Sequence, residues 1–210
     1  MSQGLTKLVF VIDRSLSMKK IESYMIDGLN NFFGDQKNRN LGECQVSVYK
    51  FNHQYDVVFE SVSLNSITPL TKQDFQPNGF TALLDAIGTT IQNVDVEINA
   101  LPVVDRPDRV LMVIWTDGLE NSSQTYTGSL IHDMIQQKTV SSSWDFAYVS
   151  TTQDEGTVGR SYGVSGNSSA DYVASAEGVE KMFDTLGKSM SQFRSASFRT
   201  NFQFENKKNV

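Results

Sequence analysis

Asp13, Ser15 and Ser17 stand at the end of an unbroken apolar run, in the segment LVFVIDRSLSM at residues 8–18. An Asp-x-Ser-x-Ser turn gathers one carboxylate and two hydroxyls whose oxygens can converge on a single point. Hard oxygen donors of this kind suit Mg²⁺, Mn²⁺ or Ca²⁺ rather than a soft metal. A second apolar run, RVLMVIWT at residues 109–116, stops in the same way at Asp117, which is followed by Gly118. Two separate runs that each end at an aspartate are less easily a coincidence than either alone. A third polar position, Thr81, opens the segment FTALLDAI.

The elements that must hold these residues follow from periodicity. Residues 8–12 and 109–116 show no polar alternation, so they read as strands buried on both faces, at the centre of a mostly parallel sheet. Their polar ends therefore leave at the carboxyl edge, where open α/β sheets place ligands. KKIESYMIDGLNNFF, residues 19–33, carries apolar side chains at helical spacing, and Ser17 is a candidate N-cap for it. Residues 34–42 read as a polar loop. CQVSVYKF at residues 44–51 and residues 55–62 read as two strands joined by Asn52-His53-Gln54, a connection so short that it permits only an antiparallel hairpin. Residues 64–79 look irregular, residues 80–98 and 126–139 helical, residues 144–150 and 172–174 extended, and residues 177–193 helical. The expected class is α/β: a doubly wound, Rossmann-like sandwich with one antiparallel edge strand.

Composition narrows the partners. The chain has 210 residues, enough for one domain with a real core. Its 18 basic and 24 acidic residues give a net charge of −6, which provides no global basic footprint for nucleic acid. No apolar run is long enough to span a bilayer. A single cysteine, Cys44, and a start without a signal-peptide pattern lead us to expect a protein of the cytoplasm. Cys44 itself, inside a strand-like stretch, reads as a small core residue rather than a nucleophile.

Taken together, Asp13-x-Ser15-x-Ser17, Thr81 in GFTALLDAI and Asp117 in WTDGLENSS resemble the three segments of a metal-ion-dependent adhesion site (MIDAS), as found in von Willebrand factor type A (VWA) domains. The resemblance extends over essentially the whole chain, as a single domain at residues 1–197 with a tail at 198–210. It is greatest to small, stand-alone, cytosolic bacterial or bacteriophage members, supported further by VSVYKFNHQYDVVFE, QDEGTVGRSYGV and GNSSADYVA. It implies a VWA fold. It also implies that Ser15, Ser17 and Thr81 reach a divalent cation, Mg²⁺ or else Mn²⁺ or Ca²⁺, through their hydroxyls, while Asp13 and Asp117 bind it directly or through water. An open coordination position would take an acidic side chain from a protein partner, or from a second copy in metal-dependent self-association. Nucleic acid and membrane are not expected partners.

Other residues carry less. Arg14 beside a cation site either steers an acidic partner or points to water, and the sequence does not separate the two. Glu120 sits close enough to Asp117 to belong behind the ligands or at the rim of the site, but reads rather as a solvated loop acid, and His53 and His132 read as surface or structural residues. Glycines at 156, 159, 163 and 166 match neither dinucleotide nor phosphate-loop spacing. The tail interleaves Phe193, Phe198, Phe202 and Phe204 with Arg194, Arg199, Lys207 and Lys208, which suits packing on the parent domain with a frayed end, or a binding arm. The expected function is a metal-dependent binding module without catalysis. One alternative is a Mg²⁺-dependent phosphohydrolase of the haloacid-dehalogenase type, in which Ser15 would occupy the position of the second acid. The other is an assembly protein with a vestigial metal site.

Overall fold

The computed structural model describes residues 4–142, 144–151, 157–196, 198 and 200–205. Six strands form one sheet in the order β3-β2-β1-β4-β5-β6. They are β1 (Thr6–Asp13), β2 (Cys44–Phe51), β3 (Tyr55–Ser63), β4 (Arg109–Trp115), β5 (Trp144–Ser150) and β6 (Ser169–Asp171). All neighbours pair in parallel except β2 and β3, whose antiparallel hairpin places β3 at the edge. The expected α/β class, mostly parallel with one antiparallel edge strand, is what the structure has.

Among the described residues the α-helices are α1 (Glu22–Asn38), the single turn α2 (Lys72–Phe75), α3 (Leu83–Ala100), α4 (Gly128–Ser141), the short α5 (Thr157–Ser161) and α6 (Ala176–Ser195). The unbroken apolar strands are explained by two cores. Leu8, Phe10 and Ile12 of β1 and Leu111, Val113 and Trp115 of β4 face one cluster, with Phe32 and Phe33 of α1 and Met182, Phe183 and Leu186 of α6. The alternate residues Val9, Val11, Val110, Met112 and Ile114 face the other, with Leu83, Ile87 and Ile91 of α3 and Ile131 and Ile135 of α4. A strand with cores on both faces has no position for a polar alternation. Trp115 stacks on Phe183 with ring centroids 4.4 Å apart, which locks α6 over the sheet centre.

Several boundaries differ from the sequence expectation. The first helix does not end at residue 33 but runs to Asn38. Its last turns are retained because Gln36, fully buried, donates to the Gly187 carbonyl at 3.1 Å and to Ser191 Oγ at 3.1 Å, and accepts from Arg194 at 3.2 Å. A polar residue can thus belong to a helix face that packs, provided its hydrogen bonds are met. The last strand is Ser169–Asp171 rather than 172–174. Tyr172 instead turns inward onto Trp115, with centroids 5.2 Å apart.

The tail lies along the amino edge of the sheet. Phe202 donates its amide to Asp145 Oδ1 at 2.8 Å, accepts from Ser168 Oγ at 2.6 Å, and sets its buried ring against Phe193 and Phe204. Arg109, at the start of β4, donates to the carbonyls of Phe193, Ala196 and Phe198. Arg199, Lys207 and Lys208 lie outside the described residues, as does Gly156.

Candidate metal site

Strand order reverses between β1 and β4: β1 leads outward to β2, whereas β4 leads to β5 on the other side. Ligand crevices of open α/β sheets form at such a switch point. The register pairs Ile12 with Trp115, so the chain leaves the sheet at Asp13 on one strand and at Thr116 and Asp117 on the next. Asp13 is completely buried. Its Oδ1 accepts the Ser15 amide at 2.6 Å, and its Oδ2 accepts the hydroxyl of Thr116 at 2.6 Å. The first bond folds the Asp-x-Ser-x-Ser turn back on itself, so that the Ser15 and Ser17 hydroxyls come within 3.0 Å of each other. Ser17 Oγ then donates to Asp117 Oδ1 at 2.6 Å, joining the first loop to the third.

Ser17 therefore does not cap the first helix. The residues after Ser15 form a 3-10 segment, Leu16–Ile21, with no side-chain cap, and the Ser17 hydroxyl is committed to the aspartate across the cleft. Thr81 precedes α3 and is buried. Its amide donates to Asn121 Oδ1 at 2.9 Å and its carbonyl accepts from the Asn121 amide at 3.0 Å. Gly118 gauges how close the loops come. A Cβ placed on it would lie 3.8 Å from both Ser17 Oγ and Thr81 Oγ1. All five predicted residues, Asp13, Ser15, Ser17, Thr81 and Asp117, are thus gathered at one edge by three separate loops.

The surrounding loops are fixed by two carboxylates, Glu120, read from sequence as a solvated loop acid, and Asp85, which the sequence did not single out. Glu120 is no solvated loop acid: it accepts from the amides of Leu84, Ser122 and Ser123 and from Ser123 Oγ at 2.6–3.0 Å, holding the third loop against the start of α3. Asp85 accepts the amides of Gln124, Thr125 and Tyr126 at 2.8–2.9 Å. Arg14 neither points to water nor faces the cleft. It is buried and paired with Asp56 of β3 at 2.5 Å. Gly79 takes φ +74°, and its carbonyl accepts the Leu16 amide at 3.2 Å, which ties the second loop to the first.

The electrostatics suit a cation. Burial pushes the Asp13 carboxyl up to about 6, against the pull of its Thr116 and Ser15 hydrogen bonds, with the charge of Asp117 adding to the rise. Burial likewise raises Asp117, offset by Ser17 and by Lys20. Asp117 Oδ2 is buried without a hydrogen-bond partner. A buried carboxylate oxygen without a donor is costly, and a divalent ion is one group that removes the cost. Two carboxylates and three hydroxyls form an all-oxygen set that fits Mg²⁺, Mn²⁺ or Ca²⁺ by charge and hardness. Among the described residues no cluster of three or more His, Cys, Asp or Glu competes with it. His53 and His132 belong to no such cluster, and burial raises the Cys44 thiol to about 11, as befits a core residue. A groove of 550 Å³ between α1 and α6 contains none of the five residues.

No family model and no curated protein sequence matches the chain. Solved structures do. Proximal thread matrix protein 1 from the mussel byssus is 13% identical with a TM-score of 0.64, over 90% of this chain and 49% of that one. A von Willebrand factor type A protein from Catenulispora acidiphila is 13% identical with a TM-score of 0.59, over 90% of this chain and 43% of that one. The fold is VWA-like. The pilus adhesin SpaC from Lactobacillus rhamnosus GG is also similar, at 13% identity and a TM-score of 0.67, over 90% of this chain and 30% of the adhesin. The chain therefore spans about half or less of these proteins. The mussel protein has also been solved with a zinc-occupied MIDAS motif, at 13% identity and a TM-score of 0.59. Identities this low extend to the fold of the present chain and no further.

Proposed function

We propose that this chain is a metal-dependent protein-binding module. Asp13, Ser15, Ser17, Thr81 and Asp117 would hold one divalent cation, with Mg²⁺ the first choice, and a partner protein would complete the site with an acidic side chain. The observation that carries this is the buried, unpartnered Asp117 Oδ2 on a loop that meets the hydroxyls of the other two. A bound cation would supply residual Lewis acidity toward an incoming carboxylate, since two aspartates only balance its charge. The protein's part is to position the ligands. Thr116 and the Ser15 amide orient Asp13, Ser17 orients Asp117, and Glu120, Asn121 and Asp85 keep the loops in place.

The reading is non-catalytic. Both oxygens of Asp13 are engaged by donors, and the position of a second acid is held by Ser15, which serves poorly as a general acid or base. A lone buried cysteine fits a reducing, cytoplasmic setting. Among the described residues no helix is long and apolar enough to cross a membrane. Isothermal titration of chelator-treated protein with Mg²⁺ and Mn²⁺, beside Asp117→Ala and Ser17→Ala variants of unchanged circular dichroism, tests the site. One ion bound by wild type and lost in Asp117→Ala is expected. Equal binding by both would refute it.

A further inference from the structure

The three loops that bring in the five oxygen ligands also carry three exposed, large apolar side chains. Leu16 is 60% exposed between Ser15 and Ser17, Phe80 is 68% exposed just before Thr81, and Leu119 is 62% exposed just after Asp117 and Gly118. Each lies within two residues of a ligand, so its Cα is no more than about 7.6 Å from that ligand's Cα. The loops are stitched to one another at these positions. The Leu16 amide bonds the carbonyl of Gly79, the residue before Phe80, and the Thr81 carbonyl bonds the amide of Asn121, two beyond Leu119. The three apolar residues therefore sit around one site. Among the described residues, the other exposed large hydrophobics are Tyr24, Leu130, Phe198 and six valines, of which only Val103 and Val104 are neighbours in the chain, and none lies on the three ligand loops.

Resting on the metal-site reading above, we propose that Leu16, Phe80 and Leu119 form an apolar collar around the site, so that the partner is a protein segment whose acidic residue is flanked by apolar side chains. The collar residues face solvent beside the ligands, and apolar side chains grouped around one site, rather than scattered singly, mark an interaction surface. Closing an apolar ring over a carboxylate contact excludes water, and the contact between ion and acid strengthens as the local dielectric falls. Lys19 and Lys20 are exposed beside the collar, and Lys20 acts electrostatically on Asp117, so the rim also draws acidic rather than basic segments. A bare acidic peptide would satisfy the ion and leave the collar wet.

Two capped tripeptides test the collar, acetyl-Leu-Asp-Phe-amide and acetyl-Gly-Asp-Gly-amide, titrated into ¹⁵N-labelled protein with Mg²⁺ or with chelator. The apolar peptide should bind about tenfold more tightly than the glycine peptide in Mg²⁺, consistent with partial burial of one or two large side chains. The Leu16→Ser, Phe80→Ser, Leu119→Ser triple variant should retain Mg²⁺ affinity and melting temperature while the two peptides become equal. Equal affinity of both peptides for wild type, or a preference that survives in the triple variant, would overturn the collar and leave the metal site standing. Amide shifts at residues 13–17 and 117 that ignore Mg²⁺ would overturn the metal reading itself.

Discussion

Asp13→Asn removes a charge that the fold buries completely, and it should reverse the order of stability between metal-free and metal-loaded protein. Burial raises the Asp13 carboxyl from its ordinary 3.8 to about 6. A rise of that size costs about 3 kcal/mol at neutral pH when no cation is present. For an acid whose folded value is raised, this penalty is complete above pH 6, fades as pH falls toward 3.8, and is absent below it. The amide side chain keeps one acceptor for the Ser15 amide or the Thr116 hydroxyl and forfeits the other, at about 1–1.5 kcal/mol. The net expectation in chelator at pH 7 is a gain of about 1–2 kcal/mol for the variant, or a melting temperature higher by roughly 3–6 °C for a chain of this size. Excess Mg²⁺ at a hundredfold its dissociation constant should add about 2.7 kcal/mol to wild type and nothing to the variant. Urea denaturation at pH 7, in chelator and in Mg²⁺, reads both effects, and repeating the chelator series at pH 4.5 should narrow the gap. A variant less stable than wild type in chelator at pH 7, or one that gains equally from Mg²⁺, would refute the reasoning.

Three further single substitutions and one paired change probe the supports. Thr116→Val deletes the buried hydroxyl on Asp13 Oδ2 and should cost about 1.5–3 kcal/mol in urea denaturation; a loss within error would mean that Asp13 is oriented by Ser15 alone. Glu97→Ala strips the partner from the fully buried Lys7, which lies 2.8 Å away, and should cost about 3 kcal/mol, whereas the paired change Lys7→Met with Glu97→Leu should be close to neutral. Phe202→Ala empties a buried ring site shared with Phe193 and Phe204 and should cost about 3–4 kcal/mol; an effect below about 1 kcal/mol would show that the tail adds no stability.

Central elements were legible because their physics is local. A run with no polar alternation has to be buried on both faces, and β1 and β4 are. The three loops meet at one edge of the sheet, as the resemblance implied. What escaped were residues whose roles are set by distant partners. Gln36 extends α1 only because Gly187, Ser191 and Arg194 meet it from α6. Arg14 belongs to Asp56 across the hairpin rather than to the cleft beside it. Glu120 reads in sequence as a solvated loop acid and Asp85 as one polar residue of a helix, yet Glu120 holds the amide at the start of α3 and Asp85 holds three amides of the facing loop. Thr116 reads as the last residue of an apolar strand, and only the parallel register of β1 with β4 turns its hydroxyl toward Asp13.

The tail and the first strand meet the same edge of the sheet. Thr6 opens β1 beside Arg109, which holds the tail, and the carboxylate loops emerge at the far end of β1, at Asp13. At ~3.3 Å per residue that separation is about 23 Å. The start of β1 and the tail at Phe202 therefore lie on the side of the sheet opposite the loops. A partner meeting the oxygen cluster is kept by the full length of the central strands from the edge where the tail packs, so substitutions in the tail and in the cluster act on separate surfaces of the domain.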